Sequence, residues 1–158
     1  MSLTLSPDQF DAASELAAFE AACRGQGLET GGIVSFSGLV RADGGRVTGL
    51  ELEAYAGFAE RQILGMAKAC AAQRDLIAWR IRHRIGLIRP AETVVFVAAA
   101  ARHRRDAFLA ADEMMDYLKT SAPFWKKSHE ADGAHWVDPR PQDYSDASRW
   151  DRPQETTP

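Results

Sequence analysis

The sequence predicts an α+β fold, with helices packed on a mostly antiparallel sheet. Three stretches with helical spacing of apolar residues are separated by runs that alternate or are continuously apolar. Neither an internal repeat nor a linker divides the 158 residues, a length that makes one ordinary domain with a real core. Apolar residues at 46% and charged residues at 26% describe a globular chain and exclude a disordered one.

In chain order, Ser6-Pro7-Asp8-Gln9 predicts a helix start, with Ser6 as the cap, Pro7 at the first helical position and Gln9 closing a capping box. Phe10, Ala13, Leu16 and Ala17 continue at helical spacing, and Gly25 and Gly27 supply the stop. Over residues 32–40, Val34 and Phe36 alternate with Ser35 and Ser37 as in a half-buried strand. Asp43-Gly44-Gly45 is a turn signal, and residues 47–55 alternate again, so the two strands are expected to form a hairpin. A second helix is predicted over 57–73, with Phe58, Ile63, Met66, Ala67 and Cys70 on its apolar face. In the strand that follows, Trp79, Ile81 and His83 oppose a basic face of Arg80, Arg82 and Arg84, expected to be solvated or else to border a partner. Residues 93–101 are apolar on both faces, as in a central strand. A third helix over 103–120 ends at Pro123, and short extended pieces surround an Asp132-Gly133 turn. From Pro139 the chain turns polar, giving an expected division into a domain over 1–138 and a loosely held tail over 139–158.

A formal charge of −3 argues against a general nucleic-acid binder, although it leaves room for a local basic site. No apolar run is long enough to cross a membrane, and residues 1–11 lack the basic start and apolar stretch of a signal peptide. Cys23 and Cys70 both fall in amphipathic helical stretches and read as small core residues. A cytoplasmic protein is expected.

Three places invite chemistry, each with a plainer alternative. Arg102-His103-Arg104-Arg105 opens a helix where cations oppose the macrodipole, which makes sense if an anion binds between them; a solvated basic turn is the alternative. Lys119 continues the stripe of Phe108 and Met115, so it is either a desolvated base or a lysine snorkelling from a helix end. Phe124-Trp125-Lys126-Lys127 follows Pro123, which turns the chain and brings Lys126 back toward Lys119; the other reading is a packing anchor with solvated charges. No phosphate loop and no Ser-His-Asp spacing is present. His83 reads as a core histidine. His129 and His135 have no Cys or carboxylate at ligand spacing, so neither a metal nor a cofactor is expected.

The same places carry a family likeness. Gly38-Leu39-Val40-Arg41, His83-Arg84-Ile85-Gly86 and Ala101-Arg102-His103-Arg104 resemble segments of the large, catalytic subunits of molybdopterin synthase, the MoaE family. Met115-Asp116-Tyr117-Leu118-Lys119-Thr120, followed by Ala122-Pro123-Phe124-Trp125-Lys126, is the most specific match, and His135-Trp136-Val137-Asp138 resembles a late strand. The likeness spans roughly residues 31–138 in the family's order. It implies an α/β-hammerhead-containing fold. It also implies a sulfurtransferase that builds the dithiolene of molybdopterin from cyclic pyranopterin monophosphate, in molybdenum cofactor biosynthesis. Sulfur would come from the Gly-Gly thiocarboxylate of a small ubiquitin-like subunit, within a heterotetramer of a homodimer and two small subunits.

Carried over by position, the resemblance gives Arg41, His103, Arg104 and Lys127 to the substrate, and Met115 to the pocket wall. Lys119 and Lys126 fall where thiocarboxylate meets substrate, with Lys119 the leading catalytic residue. Leu39 stands where the family often has another lysine, the 41–47 loop is short, and Ser128 replaces a common acidic residue. Two rival functions belong to other classes: a scaffold that only captures a ubiquitin-like tail, and a phosphate-ester or nucleotide enzyme unrelated to pterins. Retention of Arg41, His103, Lys119 and Lys126 together weighs against the first, and the missing phosphate loop against the second.

Overall fold

Alternating and apolar runs form two four-stranded sheets in the computed structural model, which describes residues 1–25, 29–55 and 57–150. The strands are β1 (Ser2–Ser6), β2 (Gly32–Leu39), β3 (Val47–Ala54), β4 (Ala78–Arg84), β5 (Gly86–Ile88), β6 (Thr93–Ala101), β7 (Phe124–Glu130) and β8 (Gly133–Trp136). The helices are α1 (Ala12–Gly25), α2 (Phe58–Gln73), α3 (Arg104–Thr120) and α4 (Pro141–Ala147). One sheet has the order β1-β4-β6-β2 and the other β5-β3-β7-β8. Every pairing is antiparallel except β1 with β4. The expected α+β class is what the chain adopts.

Strand β6 explains the layering of the first sheet. Val95, Val97, Ala99 and Ala101 pack with Ile63, Ala67, Ala107, Ala110 and Met114 of α2 and α3. The alternate residues Phe96, Ala98 and Ala100 pack with Phe19 and Cys23 of α1. Successive side chains point to opposite faces, so a strand covered on both sides must be apolar throughout. A smaller core of Val40, Leu52 and Ile88 joins the second sheet to the first.

Several sequence expectations need correction. The helix does not start at Ser6: residues 2–6 pair with Arg80–Arg84, and the cap is Asp11, whose carboxylate accepts Ser14 N at 2.8 Å. Gly27 lies outside the described residues. Strands β2 and β3 form no hairpin. β2 pairs with β6, and then Val40 N donates to Glu92 O at 3.1 Å while Ala91 N donates to Val40 O at 2.8 Å, leading the chain out of that sheet. Beyond it β3 pairs with β5 and β7. Alternation fixes which face is apolar but leaves the partner strand open.

The basic face of β4 is not solvated either. Glu15 of α1 pairs with both Arg80 and Arg82, the Arg82 guanidinium lies 4.8 Å from the Phe10 ring centroid, and Arg84 is buried against Glu92 at 2.8 Å. The tail is held, not loose, over 141–150. Pro141 opens α4, and Arg149 and Trp150 both donate to Asp116 on α3, at 2.8 and 2.7 Å. Residues 151–158 lie outside the described set.

Candidate active site

Where the two sheets meet, β2, β3, β7 and α3 enclose a cleft of about 450 Å³, closed on one side by α4. Arg41, Met115, Lys119 and Lys126, four residues singled out in the sequence, line it together. A neighbouring cavity of about 510 Å³ is lined by Trp125, Trp136, Val137 and Pro139, and Lys119 and Lys126 belong to both walls. The lysines therefore stand where the two cavities adjoin.

Local structure explains the meeting. Lys119 occupies the last turn of α3, which ends at Thr120 with Ser121 N donating to Tyr117 O at 2.9 Å. Pro123 turns the chain into β7, and Lys126 Nζ comes back to donate to the Lys119 carbonyl at 3.5 Å. Period-two alternation then turns Lys126 and Ser128 to the cleft and Lys127 away from it. Lys127 pairs with Glu53 and lies 4.6 Å from the Trp136 ring centroid, outside both cavity linings.

Desolvation falls on a different lysine from the one the helical stripe suggested. Lys119 is exposed, and so is Phe108 on its stripe. Lys126 is the lysine brought down to about 8, first by burial and then by the charge of Lys119, with Asp143 opposing both. A lysine so placed exchanges protons readily near neutral pH.

His103 and Arg104 lie elsewhere. His103 is the N-cap of α3 and Arg104 its first residue, and both are exposed. Fifteen residues of helix, about 22 Å, separate Arg104 from Lys119. Glycines shape that corner: a Cβ on Gly31 would overlap the Arg102 carbonyl oxygen, and one on Gly32 would sit 3.2 Å from Arg104 Cα. Arg41 is exposed at the mouth of the cleft, its Nε 3.3 Å from Asp43. Leu39 is exposed on the cleft wall, and Ser128 is buried there, donating to Glu130 at 3.2 Å.

His83 is the core histidine expected. It is buried, stacks on Phe124 with centroids 4.5 Å apart, and is pushed down to about 4, mainly by burial. It also borders the cleft behind Lys126, which the sequence did not suggest. His129 and His135 do have carboxylate neighbours, Glu51 at 2.8 Å and Asp132 at 2.9 Å, supplied by strand pairing and by the turn. Glu130, Asp132 and His135 place one ligand atom each within 4.8 Å of one another, on the exposed β7–β8 turn. Cys23 and Cys70 are buried and free, as expected, and burial pushes the Cys70 thiol up to about 12, so it is inert as a nucleophile.

Sequence reasoning missed Asp143, a buried carboxylate on the cleft wall. Its signal was present: Arg140-Pro141-Gln142-Asp143 places Pro at the first position and an acid at the third position of a helix, and Arg140 N donates to Asp143 at 2.7 Å.

Comparison with known proteins places this architecture. The family described as MoaE protein matches residues 5–121. A molybdopterin synthase catalytic subunit of Caulobacter vibrioides is 45% identical over 152 residues, covering 96% of this chain and 99% of its own. The solved structure of a molybdopterin biosynthesis MoaE protein from Burkholderia ambifaria is 37% identical, with a TM-score of 0.78 over 96% of this chain and 99% of that one. A protein–protein complex of subunits 1 and 2 of molybdopterin-converting factor from Helicobacter pylori contains a chain that is 16% identical, has a TM-score of 0.74 and covers 87% of this chain and 91% of its own, a likeness of fold alone. With the family matched over most of its length and full-length relatives well above 30% identity, the chain belongs to the MoaE family.

Proposed function

We propose that the chain is the catalytic subunit of a molybdopterin synthase. It would transfer sulfur from the C-terminal thiocarboxylate of a small ubiquitin-like subunit to cyclic pyranopterin monophosphate, forming the dithiolene of molybdopterin. One observation carries this reading: Lys119 and Lys126 stand together at the boundary of two adjoining cavities, in a chain of the MoaE family. The cavity beside Trp125 and Trp136 suits an extended peptide tail, and the cleft behind it suits a small planar substrate.

The chemistry follows from charge and proton supply. A thiocarboxylate and a cyclic phosphate are both anions, and two ammonium groups at their meeting point stabilise the charge that moves as sulfur leaves the acyl carbon. Lys126, held at about 8, can also take up and return a proton during opening of the cyclic phosphate and hydrolysis of the acyl–sulfur bond. Arg41 at the mouth would meet the phosphate, and Met115 would line the pterin's path.

His103 and Arg104, about 22 Å along α3 from the lysines, act in this reading at the site of a second copy. The assembly is a homodimer of this chain with a small subunit at each end. It would work in the cytoplasm; no helix among the described residues is long and apolar enough to cross a membrane.

The test is reconstitution from this chain, a thiocarboxylated small subunit and the cyclic substrate. Formation of molybdopterin is expected. A folded chain that binds the small subunit and yields no product would leave a capture scaffold in its place. Binding of nucleotides in preference to the pterin would point to the unrelated phosphate-ester enzyme.

A further inference from the structure

The Lys126 ammonium sits in the cleft with a single protein partner among the described residues, the Lys119 carbonyl at 3.5 Å. No carboxylate hydrogen-bonds to it, although a second lysine is beside it. A half-buried cation next to a like charge calls for a counter-charge. Charged and titratable groups border it from several elements. From α3 come Lys119 and Asp116, and Asp116 is taken by Arg149 and Trp150. From β4 comes His83, which stays neutral near pH 7. At the mouth lie Arg41 and Asp43, which pair with each other at 3.3 Å. From the segment after β8 comes Asp138, exposed on the neighbouring cavity, and from α4 comes Asp143, which also pairs with Arg140 but at 8% exposed is the one buried carboxylate of this group.

Asp143 remains ionised there. Burial works against its charge, but hydrogen bonds from the Arg140 side chain and backbone, with the field of Lys119, outweigh burial and hold it below the ordinary value. Arg140 Nη2 pairs with it at 3.1 Å, and Asp143 also lines the lysine cleft.

We propose that Asp143 is a positioning residue for the lysine pair: delivered by α4, its carboxylate is the counter-charge that orients the Lys126 ammonium in the cleft. This rests on the lysine cleft being the reaction site. It assigns the C-terminal helix a part in catalysis that a cap-and-packing role would not include. Asp143 touches neither substrate nor thiocarboxylate and acts through Lys126.

The experiment is competitive acylation of lysines with acetic anhydride across pH, read by mass spectrometry at the Lys126 peptide, on full-length wild type, Asp143→Asn and Asp143→Glu. The asparagine keeps an acceptor for Arg140 N and removes the charge. The expected result is a lower midpoint for Lys126 in Asp143→Asn, giving about threefold more free amine at pH 7, or about half a pKa unit. Asp143→Glu is expected to return the midpoint toward wild type. If the substitution merely undocks α4, Lys126 becomes solvated and its midpoint moves up. An unchanged or raised midpoint in Asp143→Asn therefore overturns the proposal.

The conversion assay separates this proposal from the functional reading. With wild type active, the pH dependence of kcat in Asp143→Asn should shift by the same amount and in the same direction as the Lys126 midpoint. An active wild type with an unshifted profile overturns the role of Asp143 alone. An inactive wild type with a shifted Lys126 midpoint overturns the synthase reading and leaves the electrostatic pairing standing.

Discussion

Lys126, half-buried on β7, and His83, buried on β4 of the other sheet, are two bases on the same cleft with different consequences. At neutral pH the Lys126 ammonium is desolvated and lacks a carboxylate hydrogen bond, so the fold is less stable for holding it. Lys126→Met keeps the length and loses the charge. It is expected to raise stability by about 1 kcal/mol in urea denaturation at pH 7 while abolishing conversion. A loss of stability would mean that the ammonium is better satisfied than its surroundings indicate. His83 is buried neutral, its value depressed from 6.5 to about 4. The unfolded chain binds the proton first, so the stability His83 contributes is full above pH 6.5 and is lost as pH falls from there toward 4. The difference is about 3 kcal/mol at most. Urea midpoints at pH 7 and pH 4.5 should fall further for wild type than for His83→Leu; equal falls would rule His83 out as a source of acid sensitivity. The sequence disclosed His83, because its place on an apolar face is local information. For Lys119 it offered a desolvated base or a snorkelling lysine, because a helical stripe can be read along the chain, whereas the docking of α4 on α3 beside the cleft cannot.

At the scale of elements, the starts of α2 and α3, the central strand and the β7–β8 turn were legible, since apolar periodicity, apolar runs and Asp-Gly turns act over a few residues. Strand β1 and the pairing of β2 with β6 were not, because they depend on contacts made across the fold. The same limit hid the cover on the Arg80 and Arg82 face, which arrives with Glu15 from another element. The corner between β2 and α3 is the element most sensitive to a small change. Gly31 meets the backbone of Arg102 with no room for a Cβ, just ahead of His103 and Arg104. Gly31→Ala is expected to lower stability by about 2 kcal/mol and to raise KM for the phosphate-bearing substrate, by displacing the basic turn. Unchanged stability and KM would show that the corner yields without moving those side chains.

For the whole molecule, one copy holds two separate basic clusters: a lysine cleft between the sheets and a basic helix start about 22 Å along α3 from it. If a dimer joins them, variants damaged in different halves complement each other. Mixing Lys119→Ala with Arg104→Ala, after exchange of subunits, places both lesions in one site of a hybrid and leaves the other site intact. Random pairing gives half the dimers as hybrids, each with one working site, so about a quarter of wild-type activity is expected. Activity no higher than that of either variant alone would put His103 and Arg104 outside the partner's site.

The most direct measurement of the central claim is single-turnover conversion of the cyclic substrate by Lys119→Ala beside wild type, using thiocarboxylated small subunit and recording small-subunit binding in parallel. Molybdopterin formed by wild type and lost in the variant, with binding unchanged, is the expected result and places the sulfur transfer at the lysine cleft. Full conversion by a folded Lys119→Ala would contradict it and move the chemistry away from the junction of the two sheets.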